Sequence, residues 1–280
     1  MDIAVFIAVL AAAACHAGWN AVVKGGGDPM VTTGIVSLAA GLVSLPLLPI
    51  TGLPGAASLP WAAASAVVHL FYFACLIEAY NHGDLGQVYP LARGSAPLMT
   101  GIASSLLVEH LGTAAWIGLL LLAGGVLLLA LPGRKGSARF NARGIGFALA
   151  TAMTICAYSI IDGLGARASG NPNGYTLLLF INCAIILPAY VLARRGWAAF
   201  RGSAGQWRLG LPGGAMQVIS YGVAIWAMTV APIAIVAALR ETSVLFGALI
   251  AVIILKEPLH AARVAAAALI VCGLVVLKIF

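Results

Sequence analysis

Charge is what this chain has little of: Asp, Glu, Lys and Arg together make up 8% of its 280 residues, and only eight are acidic. A soluble domain carries about 25%, so a free-standing water-soluble protein is excluded. Long polar stretches are missing as well, with 62% of residues hydrophobic and a mean hydropathy of +1.06. The apolar runs are continuous and do not alternate, which excludes a membrane β-barrel. No P-loop, G-x-G-x-x-G, H-E-x-x-H or paired Cys/His zinc spacing occurs. The five cysteines (Cys15, Cys75, Cys156, Cys183, Cys272) all fall in apolar stretches without C-x-x-C spacing. They read as small core residues, not disulfides or metal ligands, so neither a cofactor nor a metal is expected. No Lys or Arg precedes Lys24, and Asp2 stands near the start. The basic flank of a signal peptide is therefore lacking, and the run ending Ala-Ala-Ala-Cys15 is expected to be a retained helix.

What remains is a series of apolar segments. At about 20 residues per span the chain holds roughly ten helices, placed at 3–23, 31–50, 60–81, 85–108, 112–131, 144–165, 173–193, 208–229, 232–255 and 259–279. Pro29, Pro60, Pro172, Pro212, Pro232 and Pro258 fall at predicted helix starts, where a missing N–H costs nothing. Pro90 and Pro97 fall inside the fourth span, among polar residues.

The net charge of +7 does not point to nucleic acid, because the basic residues cluster in loops. Arg134, Lys135, Arg139 and Arg143 lie between spans five and six, and Arg194, Arg195, Arg201 and Arg208 between seven and eight. With Lys24, Lys256 and Arg263 they put eleven basic residues on one face, against Arg167 and Lys278 on the other. The positive-inside rule makes the rich face cytoplasmic. The expected location is the cytoplasmic (inner) membrane, multi-pass, with both termini extracytoplasmic.

The chain also repeats itself. Shifted by 148 positions, the segment His69 to Glu109 lands on Gln217 to Glu257 without a gap. Phe73 falls on Tyr221, Leu91 on Leu239, Ser95 on Ser243, Glu109 on Glu257, and Gly125 on Gly273. At an offset of 139, Trp19-Asn20 falls on Tyr158-Ser159. The expected organisation is a first repeat over 1–132, a basic linker over 133–143 and a second repeat over 144–280. Each repeat holds five helices, an odd number, so the second must lie inverted in the bilayer. The fold class is an all-α integral membrane protein of ten transmembrane helices in two inverted five-helix repeats.

Polar groups at bilayer depth cost about 2.5–3.5 kcal/mol each on insertion scales and need a reason to be there. Helix one presents His16, Trp19 and Asn20 on one face, and helix six the matching Tyr158, Ser159 and Asp162. Helix four carries Gln87, Tyr89 and Arg93, and the repeat matches Arg93 with Glu241, which Arg240 precedes. The equivalence predicts that Arg93 and Glu241 approach each other. Helices three and eight add His69 and Tyr72, and Gln217 and Tyr221. Most of these groups have a plain alternative as interhelical hydrogen bonds or locks. Glu109 and Glu257 are expected to cap or brace the following helix.

Several motifs carry a family resemblance. They are the early pairs Trp19-Asn20 and Tyr158-Ser159, the stretches Tyr89-Pro90-Leu91-Ala92-Arg93-Gly94-Ser95 and Leu239-Arg240-Glu241-Thr242-Ser243, and the acidic closures Glu109-His110-Leu111 and Lys256-Glu257-Pro258. Over essentially its whole length the sequence resembles the drug/metabolite transporter superfamily, of the EamA type. The resemblance implies ten helices, a central cavity between the halves, and secondary transport by alternating access. Many relatives place their termini in the cytoplasm, opposite to the charge count here.

The expected function is secondary active transport of a small polar, zwitterionic or anionic metabolite. Its central-cavity ligands are expected to be His16, Trp19, Asn20, His69, Tyr72, Tyr89, Arg93, Tyr158, Ser159, Gln217, Tyr221, Arg240 and Glu241. Coupling to protons through Glu241, His16 or His69, or exchange, fits these groups. Partners are the small-molecule substrate, the lipid bilayer and, as an option, a second copy in a homodimer. The competing readings are a non-transporting scaffold or sensor and an intramembrane enzyme. No spacing motif unites His16, His69 and Asp162 into a catalytic set, so enzyme activity is not expected.

Overall fold

The structure, a computed structural model, describes residues 1–25, 28–130, 141–201, 204–253 and 261–279. The described residues form helices and short connections, with no strand among them. The helices are α1 (Ile3–Gly25), α2 (Pro29–Thr51), α3 (Leu59–His82), α4 (Leu85–Leu107), α5 (Thr113–Leu128), α6 (Ala142–Ser169), α7 (Pro172–Arg195), α8 (Ala204–Val230), α9 (Ile233–Arg240), α10 (Ser243–Ile253) and α11 (Ala261–Ile279). Among the described residues seven helices are long and apolar enough to cross a membrane, and α5 is a shorter apolar helix. Arg134, Lys135, Arg139, Lys256, Glu257 and Pro258 lie outside the described residues.

Local chemistry sets the helix starts. Asp28 accepts from the amide of Met30 at 2.9 Å and puts Pro29 at the first position of α2. Asp84 accepts from Gly86 at 2.8 Å at the head of α4. Asn171 accepts from Gly174 at 3.0 Å ahead of α7, with Pro172 at its first position. Each side chain satisfies an amide that has no partner within its helix. Pro212 departs from expectation: α8 begins at Ala204, so this proline lies inside the helix.

The larger departure is at the ninth expected span, 232–255. It is not one helix but two, α9 and α10, parted at Glu241 and Thr242. Around the break the backbone tightens to i→i+3 bonding, with Glu241 N on Ala238 O at 3.0 Å and Thr242 N on Leu239 O at 3.1 Å. The Thr242 hydroxyl also donates to the Leu239 carbonyl at 2.7 Å, a back-bond that competes with the regular ladder. Four polar residues in a row, Arg240 to Ser243, thus mark the interruption between α9 and α10. By contrast α4 runs through both Pro90 and Pro97, and Pro97 removes the amide that would otherwise bond the Arg93 carbonyl.

The chain divides into two compact units that do not follow the two halves of the sequence. One comprises Met1–Leu10, Phe71–Ile160 and Ala231–Phe280; the other comprises Ala11–Leu70 and Ile161–Val230. Each draws helices from both repeats. In the first unit α5 packs on α11, and α4 packs on α5 and α9. The repeat-matched glycines build the α5–α11 seam. A β-carbon on Gly125 would stand 2.6 Å from Ile270, and one on Gly273 would stand 2.7 Å from the Leu122 amide nitrogen. In the second unit α2 packs on α7 and α8. There a β-carbon on Gly214 would stand 2.5 Å from the Ala40 amide nitrogen, and one on Gly41 would overlap Ala184. Lipid offers no hydrophobic drive between helices, so such close backbone contacts carry the association.

Candidate functional site

The polar residues gather into two clusters, one in each unit. In the first unit Arg93, on α4, meets Glu241 at the break between α9 and α10, with Nε 2.6 Å from Oε2. Both side chains are 2–3% exposed. A terminal nitrogen of Arg93 donates to Ser243 Oγ at 3.3 Å. Arg240 faces Glu241 and hydrogen-bonds to the Tyr158 hydroxyl. Tyr72 packs edge-on against Tyr158 with ring centroids 5.7 Å apart. The Arg93 guanidinium carbon lies 6.0 Å from the centre of the Tyr89 ring, within cation–π range. The cluster thus holds two guanidinium groups, one carboxylate and three phenols, nearly all buried.

Its chemistry follows from that inventory. Counted over these side chains, two guanidinium groups face one carboxylate. A guanidinium offers a planar fork that matches a carboxylate or phosphonate. The single carboxylate and the surrounding aromatic faces suit an amine.

In the second unit Asp162, on α6, is fully buried. Tyr175, from α7, donates to Oδ1 at 2.9 Å, and Tyr221, from α8, donates to Oδ2. From α3, Ser65 hydrogen-bonds to the carboxylate, and the imidazole of His69 faces it. His69 packs against Tyr221 with centroids 5.8 Å apart. Its Nδ1 lies 2.9 Å from the Ser65 carbonyl. The same Nδ1 lies 3.2 Å from Ser65 Oγ, so the ring's tautomer sets which of the two contacts it makes as donor.

The remaining candidates are placed locally. Trp19 Nε1 donates to His16 Nδ1 at 3.2 Å, and the Asn20 amide donates to the His16 carbonyl at 2.8 Å. The polar face of α1 is therefore engaged along its own helix. The hydroxyl of Ser159 and the side-chain carbonyl of Gln217 are buried polar atoms without a hydrogen-bond partner among the described residues. Of the expected ligands, the structure brings together Tyr72, Tyr89, Arg93, Tyr158, Arg240 and Glu241 in one unit, and His69 and Tyr221 in the other. A cleft lined by Gly83, Gln87, Val88, Leu91, Ala130, Asn141 and Ile145 contains none of the expected ligands.

Ser65 and Tyr175 join these clusters although the sequence does not single them out; Ser243 stands out there only as the repeat match of Ser95, and Asp162 only in a polar stripe and as a member of no catalytic set. An ionisable group in an apolar helix was signal enough for Asp162. Tyr175 carried none, since a tyrosine in an apolar helix reads equally well as bulk. Room for its ring comes from Gly165, where a β-carbon would stand 2.6 Å from the Tyr175 hydroxyl.

Glu109 also acts across the sequence. Its Oε1 accepts from the amide of Ile233, the first residue of α9, at 2.5 Å and from Ser104 Oγ at 3.0 Å. The capped helix belongs to the other repeat, whereas the sequence had pointed to the helix that follows Glu109.

Comparison with known proteins matches this arrangement to one family. The model of the EamA-like transporter family matches residues 3–131 and, a second time, 142–279. Twenty-nine chains of solved structures also match. One of them, titled only "Crystal structure of protein", aligns with a TM-score of 0.74 at 18% identity, covering 98% of this chain and 95% of that one. At that identity the likeness speaks for the fold alone. No curated protein matches.

Proposed function

The chain belongs to the EamA-like transporter family, and from that premise we propose that it is a secondary active transporter of a small zwitterionic or anionic metabolite. Membership makes it a multi-pass membrane transporter of the drug/metabolite type; cargo and mechanism are our reading. The observation that carries the reading is the buried Arg93–Glu241 pair seated at a helix break, with Arg240 and three tyrosines around it. Interrupted membrane helices recur at transporter binding sites because irregular backbone supplies polar groups where lipid cannot. The two guanidinium forks favour a carboxylate-bearing cargo, and Glu241 receives its amine when it has one.

Alternating access is the mechanism that a two-repeat chain supports. Equivalent helices of the two repeats pair with each other: α2 with α7, α5 with α11, and α4 with α9. That pairing is what a pseudo-two-fold axis produces, and five helices per repeat would place the axis in the membrane plane. The basic loops favour a cytoplasmic face with both termini opposite.

A thermal-shift screen of the purified protein against amino acids and other small carboxylates tests the site. Cargo bound to the folded state raises the unfolding temperature by mass action. The reading predicts a shift that vanishes in Arg93→Gln and in Glu241→Gln. A shift that persists in both variants would place the cargo elsewhere.

A further inference from the structure

The Asp162 cluster is not absorbed by the cargo site, and its construction differs in kind. In the Arg93 cluster the carboxylate faces guanidinium groups, which stay charged at any physiological pH. A proton on Glu241 would strip two buried cations of their counter-ion, so that cluster is poorly suited to exchange protons. Asp162 faces instead a group that can itself switch. From α3 come His69 and Ser65; from α7, Tyr175 and, within electrostatic reach, Cys183; from α8, Tyr221. The next cation along α6, Arg167, donates instead to the Met228 carbonyl at 2.9 Å.

We propose that Asp162 and His69 form a proton-binding site, the point at which this transporter couples cargo movement to protons. This rests on the transport reading for its role, but not for its chemistry. As an anion, Asp162 receives one tyrosine hydroxyl on each oxygen and Ser65 besides. On protonation the carboxyl O–H becomes a donor, and the Tyr221 hydroxyl rotates to accept it. The proton enters from water, resides on Oδ2, and returns to water; nothing else is consumed. Of these five side chains His69 is the one only half-buried, and its ring can carry a proton inward while Nδ1 stays tied to Ser65. His69 is therefore the relay and Asp162 the store.

An infrared pH titration of the protein reconstituted in lipid tests the site without any cargo. The wild type is expected to show a protonated-carboxyl band that grows on acidification. Asp162→Asn lacks that component, and His69→Gln and Tyr221→Phe, which keep the carboxyl, move its midpoint. Titrations that are the same in wild type and Asp162→Asn would overturn the site, as would midpoints unmoved in both conservative variants. A second measurement addresses the role, using proteoliposomes and an equimolar mixture of labelled amino acids. Asp162→Asn is expected to retain counterflow but to lose accumulation driven by an imposed pH gradient. Accumulation equal to wild type would overturn coupling at Asp162. Absence of counterflow in the wild type, with the infrared difference intact, would instead defeat the proposed cargo class and leave the proton site standing.

Discussion

Arg93 and Glu241 are buried together, and the energetics of such a pair are asymmetric. Forming it gains little over a well-packed apolar pair, but removing one partner leaves a charge in low dielectric, at a cost of about 3–5 kcal/mol. Arg240 breaks the symmetry between the two removals, because it too faces Glu241. Arg93→Gln leaves the carboxylate with a cation beside it. Glu241→Gln removes the carboxylate that two neighbouring guanidinium groups face. Glu241→Gln is therefore expected to lower the unfolding temperature more than Arg93→Gln, and the double variant less than Glu241→Gln alone. Equal losses from the two single changes would show that Arg240 does not share the carboxylate. A pair that served only as a lock would be replaceable by apolar residues without loss of transport; the cargo reading predicts that a stable Arg93→Met, Glu241→Met protein stays inactive.

The elements are held by contacts between helices of the two repeats. Glu109 caps α9 through the Ile233 amide. Glu109→Ala should cost about 1 kcal/mol of stability, as loss of a helix cap does, and a chemical-denaturation series checks it. Gly273 lets α11 approach the Leu122 amide on α5. Gly273→Leu forces the seam apart and is expected to destabilise by about 1–3 kcal/mol, whereas Gly124→Ala, whose β-carbon meets nothing within 4 Å, should be neutral. Hydropathy alone located the helices, because a run of apolar residues in lipid has little else to become. It missed the break between α9 and α10, although Arg240-Glu241-Thr242-Ser243 is the polar cluster that causes it. Averaging over a span's length hides four polar residues inside an apolar stretch. The equivalence of Arg93 and Glu241 was readable from the 148-residue offset, and the ion pair follows it. Asp162's partners were not, since Tyr175 reaches the carboxylate only through space cleared by Gly165.

At the scale of the molecule, sequence order and spatial grouping part company. A linear reading divides the chain at its basic linker, but each compact unit takes helices from both sides of that linker. Seams decide the grouping, and a seam depends on which glycines face each other across distant segments. The proposed orientation rests on charge alone. A cysteine at Ala198, beside Arg194, Arg195 and Arg201 on a cysteine-free background, should react with an impermeant maleimide only when the cytoplasmic side is exposed. Labelling in intact cells would reverse the assigned topology.

Counterflow in proteoliposomes tests the central claim most directly. Vesicles loaded with unlabelled amino acids and carrying the wild-type protein should take up labelled amino acid transiently, while Arg93→Gln and Glu241→Gln, judged folded by monodisperse gel filtration, should not. Undiminished exchange in both variants would contradict the assignment of Arg93 and Glu241 as the groups that hold the cargo.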